Sequence, residues 1–164
     1  MTDELAIMLE YATMPRRAGE YELKRYLRDT GRKVEDVSDN PHYWKKDIDL
    51  IVDDFETVEV KWDGKLADTG NLFIELYSDI YERKAGWYKF CEARNLAYGD
   101  AQNKMFFIFD FAKLKAHIEA HKAEYKTATA ADYGKDGITK WSEGYLVPME
   151  TLSGLYTTID VSNY

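Results

Sequence analysis

Three observations predict a mixed α and β fold. Apolar residues alternate with polar ones over Asp47–Val52 and again over Thr57–Trp62, the period of half-buried strands. Leu23, Tyr26 and Leu27 recur at helical spacing before them, and Leu114, Ile118 and Ala120–His121 do so after them. Helix, then strands, then mixed elements is an α+β or mixed α/β order. A length of 164 residues fits one domain, residues 1–164, with enough chain for a continuous core.

Taken in order, Thr2–Thr13 reads as a short helix broken before Pro15. A second helix runs from about Glu20 to Asp29, with Gly31 as its stop. Asp53-Asp54 is a turn between the first two strands, and Asp63-Gly64 and Asp68-Thr69-Gly70 mark further turns. Asn71–Tyr77 (NLFIELY) is a third strand. Leu96–Tyr98 and Met105–Phe109 suggest a hairpin across Gly99-Asp100, and Ala112–Tyr125 a helix. Thr127–Lys140, rich in Thr, Ala, Asp and Gly, reads as an exposed loop; GYLVP and LYTTIDV near the end read as extended.

Composition narrows the function. No apolar run approaches the ~20 residues of a membrane-spanning helix. The opening MTDELAIMLEY lacks the positive start and apolar centre of a secretory signal. A single cysteine, Cys91, allows no intrachain disulfide and no Cys-cluster zinc site, and suits a reducing cytosol. The net charge of -8 is unusual for a protein that binds nucleic acid by bulk electrostatics, so any such binding needs a local basic surface or metal ions.

The chemistry concentrates in Asp47–Glu75. In a strand, residues two apart share a face. Asp47 and Asp49 then lie opposite Ile48, Leu50 and Val52; Glu59 and Lys61 lie opposite Val58, Val60 and Trp62; Asn71, Phe73, Glu75 and Tyr77 lie opposite Leu72, Ile74 and Leu76. If the third strand pairs beside the second, Asp49, Glu59, Glu75 and Lys61 converge near the middle of one sheet. Carboxylates gathered there repel one another and lose hydration, an arrangement that favours a bound cation such as Mg²⁺ or Mn²⁺. A lysine beside them can orient or help deprotonate a water, or stabilise charge on a phosphoryl group. These parts suit phosphodiester hydrolysis.

The pattern Asp49-Leu-Ile-Val, a turn, then Glu59-Val60-Lys61 resembles the PD-(D/E)XK nuclease superfamily, the restriction-endonuclease-like group. The following TGNLFIEL, the later Gly86-Trp87 and the helix with FAKLKAHI are similar to small phage and prophage nucleases of that group. Lys46-Asp47-Ile48 stands where the family often has a proline. The resemblance implies an α/β fold with a central mixed sheet flanked by helices. It also implies a Mg²⁺- or Mn²⁺-dependent nuclease acting on DNA. Asp49, Glu59 and the Val60 carbonyl would bind the metal, Lys61 would assist the attacking water, and Glu20, on the preceding helix, would be an added site residue. Glu75 stands either as a third carboxylate ligand or as a polar residue of the same face. A homodimer or a phage or host protein are the partners to expect besides DNA. The competing class is a catalytically silent module of the same fold that binds nucleic acid or a protein.

Other features have plainer readings. Lys24, Arg25 and Arg28 can meet a DNA backbone or simply solvate a mixed-charge helix. His117 and His121, at i and i+4, lack an evident third zinc ligand. The four tryptophans suit core or rim, and neither type of Gly-rich phosphate loop is present.

Overall fold

The computed structural model describes residues 17–134 and 137–163; the helix expected over Thr2–Thr13 lies outside them. The first described element, α1 (Ala18–Asp29), buries Leu23 and Leu27. It ends where the sequence expects: Gly31 adopts φ +85°, its N–H donates to the Arg28 carbonyl and that of Arg32 to the Leu27 carbonyl. That pair of bonds is a Schellman cap, and it needs a residue that tolerates the left-handed region. There follow β1 (Val34–Asp36), the short α2 (Pro41–Trp44), β2 (Leu50–Val52) and β3 (Glu56–Asp63). Next come α3 (Leu66–Thr69), β4 (Asn71–Asp79), β5 (Lys84–Ala85) and α4 (Trp87–Phe90). The chain continues through β6 (Asn95–Asp100), β7 (Met105–Asp110), α5 (Phe111–His121), β8 (Lys126–Gly134), β9 (Gly137–Pro148) and β10 (Tyr156–Asp160).

Two sheets result. The larger has the order β1-β2-β3-β6-β7-β10. It is mixed, because β3 and β6 run parallel while the other neighbours are antiparallel. The smaller, β5-β4-β9-β8, is antiparallel throughout. The fold is thus α/β with a mixed sheet and several helices. On one face of the large sheet, Leu50, Val52, Val58, Val60 and Phe106 pack with Leu23 and Leu27 of α1. On the other, Leu96 and Phe109 pack with Leu72, Ile74 and Val147 of the small sheet and with Leu114 and Ile118 of α5. Glu59 and Lys61 point towards this second side, the seam between the sheets.

Four expectations change. The strand NLFIELY does not pair beside the second strand: β6 occupies that place, and β4 belongs to the small sheet. The cause is the Gly64–Gly70 segment, where the turn of helix in α3, closed by Gly70 at φ +69°, redirects the chain out of the large sheet. Alternation across Asp47–Val52 also breaks. Asp47 sits at φ +51°, so Ile48 joins the core of the seam while Leu50 and Val52 join that beneath α1.

Thr127–Lys140 is not a loop. It forms β8 and the start of β9, paired from Lys126↔Leu146 to Gly134↔Gly137 with a register shift between Asp132 and Tyr133. The partner strand, not local propensity, recruits this polar stretch. Finally, Gly99 and Asp100 lie within β6, and the hairpin turns at Ala101–Lys104. Gly99 is a packing glycine: a Cβ there would lie 2.3 Å from Trp62 and 2.8 Å from Phe106. Asp100 starts the turn by accepting from the Gln102 and Asn103 N–H groups at 3.0 and 3.1 Å.

Candidate active site

The β2–β3 hairpin builds the centre of the site. Leu50 faces Val58 across the antiparallel pair, and β2 stops there. Asp49 continues the edge with its side chain: its N–H donates to the Val58 carbonyl at 2.9 Å and its Oδ2 accepts from the Val60 N–H at 2.9 Å. Within a strand a residue's N–H and C=O point to the same neighbour. The Val60 carbonyl therefore faces the Asp49 edge as well. Next to Val60 on the same strand, Glu59 is only 3% exposed and accepts from Lys61 Nζ at 2.5 Å. The Lys61 ammonium also lies 5.1 Å from the centroid of the Trp87 ring.

Glu75 reaches this centre from the other sheet. A register shift between Glu75 and Tyr77 marks a bulge that bends β4 beside it, a device that re-aims side chains. Glu75 Oε1 accepts a long hydrogen bond, 3.4 Å, from the Trp87 N–H. Gly86 permits this approach, because a Cβ there would sit 2.6 Å from the Glu75 carbonyl oxygen and 2.7 Å from its Cγ. Since the obstacle includes backbone, Gly86→Ala is expected to destabilise the protein by about 1–3 kcal/mol by overpacking. Urea denaturation checks it; an unchanged midpoint would show that β4 and α4 do not pack as described.

Asp47, which is not among the residues the strand faces are expected to bring together, belongs to the cluster. Cys91 Sγ donates to its carbonyl at 3.4 Å, while its Oδ2 is buried with no hydrogen-bond partner. Burial pushes its carboxyl up, Lys61 opposes this, and Asp49 adds to it. Burial likewise raises Glu59 well above the glutamate range against the pull of Lys61, with Asp49 and Asp47 adding repulsion. It raises Glu75 against Lys61. For Lys61, burial alone would lower the ammonium, but Glu59, Asp47 and Asp49 outweigh it and push it above the lysine range. One ammonium among Asp47, Asp49, Glu59 and Glu75 leaves the carboxylates in excess, and the protons of Asp47, Glu59, Glu75 and Lys61 are held harder.

Glu20 approaches from α1. Its Oε2 is buried without a partner, and burial, then Asp49 and Asp36, push its carboxyl up to about 7. The structure therefore brings Asp47, Asp49, Glu59, Lys61 and Glu75 together and sets Glu20 beside Asp49.

These shifts fix the sign of a pH effect. A carboxyl raised in the folded state stabilises it below the unfolded value and loses that contribution as pH rises through the folded one. Asp36 behaves oppositely: burial raises it, but hydrogen bonds from Lys24 and Ser38 outweigh that and lower it, so its contribution is lost only as pH falls below the usual aspartate range. In a chelator, melting temperature is expected to fall as pH rises from about 5 to 7, with a shallower slope in Glu20→Gln. Thermal melts across that window test it; a flat or rising profile would contradict the crowding of these carboxylates.

The donor set fits a hard divalent cation. It is all oxygen, carries excess negative charge and contains the orphaned Asp47 Oδ2. As the side chains lie, Lys61 takes one Glu59 oxygen and the Val60 N–H one of Asp49. Among the described residues no three Asp, Glu, His or Cys side chains already converge as a metal cage.

The basic residues after Pro15 are mostly spent on the protein itself. Arg17 pairs with Asp39, Lys24 with Asp36 at 2.5 Å, Arg32 with Asp53 at 2.5 Å and Lys33 with Asp54 at 2.5 Å. Cys91 is buried and its thiol is pushed up to about 12, chiefly by burial, which makes it a poor nucleophile. His117 and His121 stack at 4.5 Å on α5, where His121 meets Glu124. Among the described residues no helix is long and apolar enough to cross a membrane. No family model, no curated protein and no solved structure matches the chain.

Proposed function

We propose that the chain is a metal-dependent nuclease that hydrolyses DNA phosphodiester bonds. The observation that carries the reading is the buried Glu59, paired with Lys61 and crowded by Asp47 and Asp49 at the open end of β2. A surface ion pair has no reason to bury its carboxylate to 3% exposure among further carboxylates. The resemblance to PD-(D/E)XK nucleases supplies the same reading for Asp49, Glu59, Val60 and Lys61, and hence the restriction-endonuclease-like form of the fold.

Asp49, Glu59 and the Val60 carbonyl would hold Mg²⁺ or Mn²⁺, with Asp47 or Glu75 as a further oxygen donor. When bound, the ion would supply charge neutralisation on the phosphate and a more acidic water. The residues themselves divide the remaining work. Lys61, held as an ammonium by its neighbours, is a donor and not a base. Its proton can point at a non-bridging phosphate oxygen, where negative charge grows as the bond to water forms. Water contributes its oxygen to phosphorus, one ester P–O bond breaks, and a proton ends on the departing oxygen. Glu75 and Asp47, with raised proton affinity, are the carboxylates able to take the water's proton.

The test is a cleavage assay on linear duplex, single-stranded, circular and branched DNA and on RNA, with Mg²⁺ or Mn²⁺ at low salt. Metal-dependent cleavage of DNA that Lys61→Ala slows by about 10²–10³ is expected. Folded protein that cleaves none of these substrates would instead favour the silent binding module.

A further inference from the structure

The carboxylate cluster opens into a groove of about 700 Å³ between the end of β3 and the small sheet. Asp47, Lys61 and Glu75 line its inner end. Its walls are of a different kind. Phe73 and Phe90 lie along it, and Phe90 is 43% exposed, one of few large apolar side chains so open among the described residues. Lys65 and Lys84 stand on the same walls, both exposed and without a carboxylate partner among the described residues. The small sheet adds Ala128, Thr129 and Ala130 from β8 and Lys140 and Leu146 from β9, and Asp63 at the end of β3 is a further carboxylate in the lining.

This combination selects a ligand. Aromatic faces and lysines beside one channel suit a polyanion with exposed flat rings. A base-paired duplex hides its ring faces in the stack and presents mainly its phosphates, which a chain of net charge -8 attracts poorly. The volume is that of a small-molecule pocket, room for one or two nucleotides and not for a duplex. Most basic residues around α1 in position to track a duplex backbone are tied to carboxylates.

We propose that the groove binds an unpaired stretch of nucleic acid, with bases against Phe90 and Phe73 and phosphates against Lys65 and Lys84. The inference rests on the nuclease reading only for the reaction at its inner end; binding stands by itself. Single strands, flaps, or ends opened from a duplex would be its substrates.

Fluorescence anisotropy with a labelled oligothymidylate and a blunt hairpin duplex, in EDTA at low salt, separates the two. The full chain is expected to bind the single strand at least about tenfold more tightly than the duplex. Phe90→Ala and Lys84→Ala, both at exposed positions, should each weaken single-strand binding by about threefold to tenfold without shifting the melting temperature. Equal affinity for the two forms, or single-strand binding untouched by both variants, overturns the groove assignment. Selective binding sensitive to both variants supports it even where no DNA is cut with Mg²⁺, an outcome that would instead remove the hydrolytic reading.

Discussion

Lys61→Ala is expected to lose about 10²–10³ of any metal-dependent cleavage rate, the usual cost of removing one fixed charge donor from a phosphoryl-transfer site. The same change should also destabilise the fold, because it strips the ammonium paired with Glu59, which is 3% exposed and still faces Asp47 and Asp49. A buried carboxylate left unpaired costs about 3–5 kcal/mol or ends as the protonated acid. The two losses separate in Lys61→Ala/Glu59→Gln: neutralising Glu59 removes the stranded charge, so stability should return while cleavage does not. Steady-state rates and urea denaturation on both proteins check this. Stability that stays low in the double variant would mean that Lys61 acts through packing on Trp87; cleavage that survives either change would remove Lys61 from the chemistry.

How much of this was legible beforehand depends on what each feature rests on. The β2–β3 hairpin was readable because its signals are local: alternation fixes which residues share a face, and Asp53-Asp54 supplies the turn, with both residues at positive φ. α1 and its cap were readable for the same reason. The convergence of Glu75 with Lys61 was anticipated, yet for the wrong geometry. The sequence places Glu75 on the polar face of its strand, but it does not say that β6 pairs in parallel with β3 and sends β4 to a second sheet. That choice is made by long-range pairing. Asp47 was undervalued because its role depends on a left-handed backbone, φ +51°, which no neighbouring glycine announces. Trp87 was assigned only to core or rim, although its ring faces the Lys61 ammonium and its N–H faces Glu75. The Gly86-Trp87 pair was the available signal, since the glycine allows α4 to touch β4. β8 was missed because an edge strand of Thr and Ala takes its conformation from β9, not from its own composition.

A site kept for a cation and an ion pair kept for stability differ in the sign of one measurement. In a structural pair each charge is compensated, so neutralising a carboxylate costs stability. In a metal site without its metal the carboxylates repel, and the fold is strained by groups that it would be more stable without. Asp47→Asn tests this with least disturbance: asparagine has the same shape, tolerates φ +51°, and its amide can donate to the carboxylates that surround it. In EDTA it is expected to raise stability by about 1 kcal/mol, through relief of the orphaned Oδ2 and of repulsion from Asp49.

With Mg²⁺ or Mn²⁺ the order should reverse. A cation that binds only the folded protein adds about 2.7 kcal/mol at a hundred times its Kd. The parent should therefore gain more than Asp47→Asn, and Asp49→Ala should gain nothing. Thermal melts of the three proteins with and without metal decide it. A parent that ignores both ions, together with a destabilised Asp47→Asn, would mark the cluster as a buried structural network and turn the balance towards a silent binding module.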